Sequence, residues 1–164
     1  ILILLAVLAL ASCASGPRAY DGPEVTQILV EKGARRMHLL HGSEALRSYD
    51  IGLGFAPDGH KQVEGDGRTP EGLYRVDRRN PVSAFHLSLG IDYPRPADVA
   101  RAAALGQSPG GDIFIHGRPN TRDGRRAARR AGRDWTAGCI AVTNREMREI
   151  YAMVRTGTPI LIRP

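Results

Sequence analysis

The chain has 164 residues, of which 42% are hydrophobic, 24% charged and 5% aromatic, with 19 glycines and 11 prolines. Such a length suits one buried core, and that many turn-forming residues argues against a helical bundle and for a β-rich fold. A net charge of +6 and an isoelectric point near 9.9 favour surroundings rich in carboxylates and phosphates, a solubility bias being the plainer alternative.

The chain opens ILILLAVLALASCASG. This apolar run is too short to span a bilayer and suits the hydrophobic region of a secretory signal over residues 1–12, with neither Met nor a basic stretch before it. Leu10-Ala11-Ser12-Cys13 resembles a bacterial lipobox, which implies cleavage before Cys13 and lipidation of its thiol. Ala14 rather than Asp after it implies outer-membrane sorting in a Gram-negative cell. An ordinary signal peptide with an incidental cysteine is the alternative. Residues 13–24, CASGPRAYDGPE, read as a flexible tether. Export also argues against a nucleic-acid partner. With Cys13 lipidated, Cys139 is the one free thiol; a disulfide between the two is the competing reading.

The domain is expected over residues 25–164. Thr26–Glu31 and Arg36–Leu40 predict a hairpin across Lys32-Gly33, and Ala45–Ile51 a third strand. His38 and His41 fall in or beside the hairpin as surface residues. The loop GDGRTPEGLYRV follows, with Leu73–Val76 as its strand; Thr69, Glu71 and Tyr74 either shape a cleft or fix a tight turn. Ala84–Leu89 alternates Phe85, Leu87 and Leu89 against His86 and Ser88, a period-two strand that turns His86 away from the apolar face. Pro96 opens, and Gly106 closes, an alanine-rich helix. Ile113–Ile115 is a strand ending at His116.

Residues 118–133 hold seven arginines and one acid, Asp123. They read as a loop with a short helical turn, either merely solvated or an electropositive lid that attracts carboxylates. Trp135 packs the base of that loop or stacks on a ligand. Ile140–Val142 is a buried strand. Thr143 and Glu146 form a capping box before Met147, Ile150, Tyr151 and Val154, an amphipathic helix that Gly157 ends. Thr158–Ile162 closes the domain.

The chemistry sits in IFIHGRPN and DWTAGCIAVTN. A thiol is a poor nucleophile until a base takes its proton, and histidine is the usual base. Two neighbouring strands ending at His116 and Cys139 would bring base and nucleophile together as a thiolate–imidazolium pair. Gly138 permits a tight turn that aims backbone N–H groups at one point, an oxyanion hole worth on the order of 3 kcal/mol per donor. Five histidines occur without an HExxH or CxxC pair, so no metal is expected, and acyl transfer by a cysteine–histidine pair needs no organic cofactor.

His116-Gly117, then Thr136, Gly138, Cys139 and Asn144, resemble the signature of the L,D-transpeptidase (YkuD-type) catalytic domain, in a longer-gapped WT-x-GCIA form. Ala137 stands where most members carry a second histidine, and Ala141 where many carry arginine. The resemblance implies an α+β, β-rich fold, a mixed sheet or sandwich with a few short helices. It implies Cys139 as nucleophile, His116 as base and proton donor, and the Gly117 carbonyl orienting the imidazole. Thr136, Asn144, Trp135, Arg118 and His86 are the candidate substrate contacts. The implied reaction is acyl transfer on peptidoglycan stem peptides through a Cys139 thioester with release of D-Ala. The acceptor is a second stem or a wall-anchored protein, in a cell envelope to which Cys13 tethers the domain. A carboxypeptidase or amidase on the same scaffold, or a non-catalytic wall-binding lipoprotein, are the rival readings.

Overall fold

The computed structural model describes residues 20–164, so the predicted signal segment and Cys13 lie outside the described residues. In chain order the elements are β1 (Gln27–Glu31), β2 (Arg36–His41), β3 (Glu44–Asp50), β4 (Gly72–Ser83), β5 (His86–Ile91), α1 (Pro96–Ala104), β6 (Phe114–His116), α2 (Arg122–Ala131), β7 (Ile140–Ala141), α3 (Asn144–Met153) and β8 (Pro159–Arg163). The strands form one mixed sheet in the order β3-β2-β1-β8-β4-β5-β6-β7. β1 pairs parallel with β8 and β6 parallel with β7. Parallel neighbours need a crossover; α2 lies in the connection from β6 to β7.

The sheet's two ends also meet. Ala141 of β7 exchanges backbone hydrogen bonds with Gly52 just past β3, at 2.8 and 2.9 Å, and Thr136 N–H donates to the Leu53 carbonyl at 3.1 Å. Gly54 is obligatory at this seam, because a Cβ there would lie 2.0 Å from the Gly67 carbonyl oxygen. Inside lie Ile28, Val30, Met37, Leu39, Leu53, Leu89, Ile91, Ile115, Ile140 and Ile160. Met147 and Ile150 of α3 join them, and α3 packs on β5 and β6. The Thr143–Glu146 capping box forms as expected: Glu146 N–H donates to Thr143 Oγ1, and the Glu146 carboxylate accepts from Thr143 N–H at 2.9 Å.

Four local expectations change. β4 runs on to Ser83 instead of stopping at Val76, because it pairs with β5 through two register shifts. Its polar stretch is covered from outside, with the Arg79 guanidinium 4.0 Å over the Tyr151 ring. β5 starts at His86, with Ala84-Phe85 as the turn. Alternation fails there: Ser88 through Ile91 are all buried, since β5 lies between β4 and β6 beneath α3. The arginine-rich segment is a ten-residue helix, α2, whose N-cap Thr121 Oγ1 accepts from Gly124 N–H; arginine and alanine are strong helix formers. Finally, α3 ends at an extended Val154, and Gly157 turns the chain into β8, donating to the Val76 carbonyl at 2.7 Å.

Candidate active site

His116 ends β6, and Cys139 immediately precedes β7. The parallel register pairs Ile115 with Ile140 and His116 with Ala141, so strand alternation puts His116 and Cys139 on one face.

The histidine is held on every side. Nδ1 lies 2.8 Å from the Gly117 carbonyl; a carbonyl only accepts, so Nδ1 carries the proton and Nε2 presents its lone pair. The ring packs 4.6 Å from Phe85 and 5.5 Å from Trp135, centroid to centroid, with Trp135 edge-on. Burial pushes its pKa below the ordinary value; the Gly117 carbonyl opposes this and the Arg118 charge adds to it. The imidazole is therefore neutral at rest. Gly117 cannot be anything larger, because a Cβ would lie 2.6 Å from Asn144 Oδ1 and 2.9 Å from the Phe85 carbonyl. That Asn144 oxygen accepts the Arg118 backbone N–H at 2.6 Å. Asn144 thus grips the backbone directly after the histidine.

The cysteine is held through its backbone instead. Buried Thr136 donates its hydroxyl to the Cys139 carbonyl at 2.7 Å and accepts the Gly138 N–H at 3.1 Å. Gly138 has φ 136°, and a Cβ there would meet the Arg68 carbonyl at 2.7 Å. Cys139 Sγ accepts the Phe114 N–H at 3.4 Å and lies 3.5 Å from the Asp112 carbonyl, to which its S–H donates. Neither partner is the imidazole. Burial raises the thiol pKa; the Phe114 N–H opposes it, nearby Asp112 raises it further and Lys61 lowers it. Desolvation thus favours the neutral form of both groups at rest, so that an ion pair forms only on proton transfer.

The remaining candidates are scattered around this pair. Trp135 touches the imidazole, and the Arg118 guanidinium sits 6.0 Å from the Trp135 ring. Both line a cavity of about 480 Å³ walled by Asp50, Arg133, Val142 and Glu146, which neither Cys139 nor His116 reaches. His86 has φ 75° and its N–H donates to Asn120 Oδ1 at 2.9 Å. Its ring lies 3.4 Å from Arg148 on α3; burial first, then the Arg148 charge, lowers its pKa. Thr69 is fully buried and accepts the Gly54 N–H, Glu71 pairs with buried Lys32 at 2.8 Å, and Tyr74 is interior. Thr69 thus braces Gly54 behind the cysteine turn, whereas Glu71 and Tyr74 line a separate cavity with His60, Arg95 and Asp98.

Sequence reasoning missed several supports. Asp112, with φ 55°, supplies the carbonyl facing Sγ. Asp134 accepts the Leu53 N–H and forks onto Arg35, tying the segment before Cys139 to the sheet seam. Asp66 accepts three backbone N–H groups and Lys61 Nζ. Those bonds outweigh its burial and lower its pKa, and they shape the turn that carries the Arg68 carbonyl under Gly138. The GDG stretch held the one available signal, since a turn aspartate caps its own backbone.

A cysteine and a histidine on adjacent strands of a β-rich mixed sheet are an arrangement that can support nucleophilic acyl transfer. The model of the L,D-transpeptidase catalytic domain (YkuD) matches residues 26–162, and the chain belongs to that family. It is 29% identical over 147 residues to YafK, a candidate L,D-transpeptidase of Escherichia coli, covering 87% of this chain. The chain spans about half the length of the curated relatives it matches, 51%. Among solved structures, the helical cell shape determining protein Pgp2 from Campylobacter jejuni superposes with a TM-score of 0.62 at 23% identity, over 88% of this chain and 49% of that one. An L,D-transpeptidase from Mycobacterium smegmatis gives 0.56 at 14% identity, over 85% and 59%. These likenesses establish the shared fold.

Proposed function

We propose that the chain catalyses L,D-transpeptidation on peptidoglycan stem peptides in the cell envelope, to which a lipidated Cys13 would tether it. The observation that carries this reading is the Nδ1–H bond to Gly117, which leaves Nε2 of a buried neutral imidazole as a base on the strand beside Cys139. This mechanism requires the Cys139 side chain to rotate away from Asp112 so that Sγ meets His116. His116 then takes the thiol proton as sulfur attacks the carbonyl of the third stem residue. The tetrahedral oxyanion forms, and its collapse expels D-Ala, whose amine leaves with the proton from His116. A thioester remains. An incoming amine, deprotonated by His116, attacks it and releases Cys139. Since the Gly138 N–H is engaged by Thr136, the backbone N–H groups of Ala137 and Cys139 in the same turn are the candidate donors for the oxyanion. The chemistry requires neither metal nor organic cofactor.

The test incubates the protein, with Cys139→Ala beside it, with a purified tetrapeptide muropeptide and reads products by mass spectrometry. Dimers formed with loss of D-Ala, absent in the variant, are the expected result. Tripeptide without dimers replaces the transferase reading by a carboxypeptidase. Cleavage confined to intact cross-linked wall replaces it by an amidase, and equal activity in the variant removes the thioester.

A further inference from the structure

Helix α2 lies beside the site but takes no part in the chemistry above. Its residues divide cleanly by face. Gly124, Ala127, Ala128 and Ala131 line a shallow groove with Phe85, Pro119 and Trp135, and of these four Ala128 is the buried one. Arg122, Arg126, Arg129 and Arg130, at i, i+4, i+7 and i+8, share the opposite face and are exposed. Arg125 is committed elsewhere, donating to the Pro119 and Asn120 carbonyls. Among the described residues Arg122, Arg129 and Arg130 have no hydrogen bond or ion pair. Arg126 has only Asp123, 3.7 Å away and 94% exposed. Like charges four residues apart oppose the helix, so the face carries an electrostatic cost that, among the described residues, only exposed Asp123 offsets.

We infer that the outward face of α2 binds a linear phosphate-bearing polymer. Three features select that chemistry. The cations form one row, spanning about 12 Å from Arg122 to Arg130 at a rise of ~1.5 Å per residue; a row matches a strand of charges better than a plane of headgroups. The row has no apolar side chain to enter a lipid layer. Every member is arginine, whose fork bonds phosphate as well as carboxylate bidentately, and the polyglutamate arm of the test separates the two; both lysines of the chain are buried in internal ion pairs.

The inference is independent of the reaction at Cys139. Its test measures binding of the full chain to inorganic polyphosphate by calorimetry across a salt series, against polyglutamate and phosphatidylglycerol vesicles. Four phosphate contacts predict a slope of log K on log salt of about −3, at ~0.7 per contact for a single strand. R126Q/R129Q/R130Q should lose about 2 of that slope and about tenfold or more in affinity at low salt. Its far-UV dichroism and muropeptide turnover should be unchanged. R126K/R129K/R130K, which keeps the charge, should retain most of the slope and bind less tightly. An unchanged slope in the glutamine variant, equal binding of polyglutamate, or tighter binding to vesicles than to polyphosphate each overturns the inference.

Discussion

His116 and Cys139 sit on adjacent parallel strands yet are positioned by opposite means. The imidazole is fixed as a side chain: one nitrogen is tied to Gly117 and two aromatic rings flank it. The thiol is fixed only through its peptide, by Thr136 and by the approach of Arg68 to Gly138, while Sγ rests against the β6 backbone. A base must present one lone pair in one direction, so rigidity serves it. A nucleophile must leave its resting partner, meet the base and then the substrate, so it gains from a fixed backbone and a free χ1.

That contrast can be broken most severely at Cys139, the proposed nucleophile. Cys139→Ala should abolish turnover, by at least about a thousandfold, with an unchanged melting temperature; comparable kinetics in the variant would remove the cysteine from the mechanism. Gly138→Ala comes next. It should cost about 2–3 kcal/mol, from positive φ and the collision with Arg68, and lower kcat about a hundredfold or more, because a shift of about 1 Å at a reacting atom has that effect. Denaturant midpoints and steady-state kinetics read both.

The pH profile sharpens the difference. The His116 pKa lies below its ordinary 6.5 and the Cys139 pKa above its ordinary 9.0. As pH falls, the neutral imidazole therefore survives past 6.5 before it protonates. The acid limb of kcat/KM should fall below that value, with no rise from thiolate formation before pH 9. Alkylation by iodoacetamide should be correspondingly slow at neutral pH. A preformed ion pair would give fast alkylation and thereby contradict the resting state described.

Smaller effects are expected around the base. Asn144→Ala removes the acceptor of the Arg118 N–H and should destabilise by about 1–2 kcal/mol, with a several-fold loss in kcat if the Gly117 carbonyl drifts. Thr143→Ala removes only the α3 cap. It should cost about 1 kcal/mol and leave kcat unchanged, which separates helix stability from site geometry.

Periodicity carries across β1, β2 and α3. Gln27–Glu31 and Arg36–His41 alternate in burial as half-covered strands do, although Ile28-Leu29-Val30 is continuously apolar in sequence, and the apolar stripe of α3 lands inside. It fails at β5, where Ser88 and Gly90 are as buried as Leu89 and Ile91. A strand covered on both faces has no solvent side to impose period two. It fails at α2 for another reason: a cation-rich segment resembles a loop in composition, although its residues favour helix. Thr136 and Asn144 were visible as motif positions, but their hydrogen bonds run to the backbone that carries Cys139 and follows His116.

The amino-acid sequence alone determined the β-rich class with its short helices and the capped helix after the cysteine, and it singled out His116 and Cys139 as the candidate pair. Each depends on residue identity and on local spacing. Only the tertiary structure decided that thiol and imidazole are both neutral, because desolvation comes from rings and strands far apart in the chain. It also decided that Gly138 must be glycine because of Arg68, and that α2 presents its arginines as a single outward row. Those properties belong to distances between segments, and no local pattern encodes a distance.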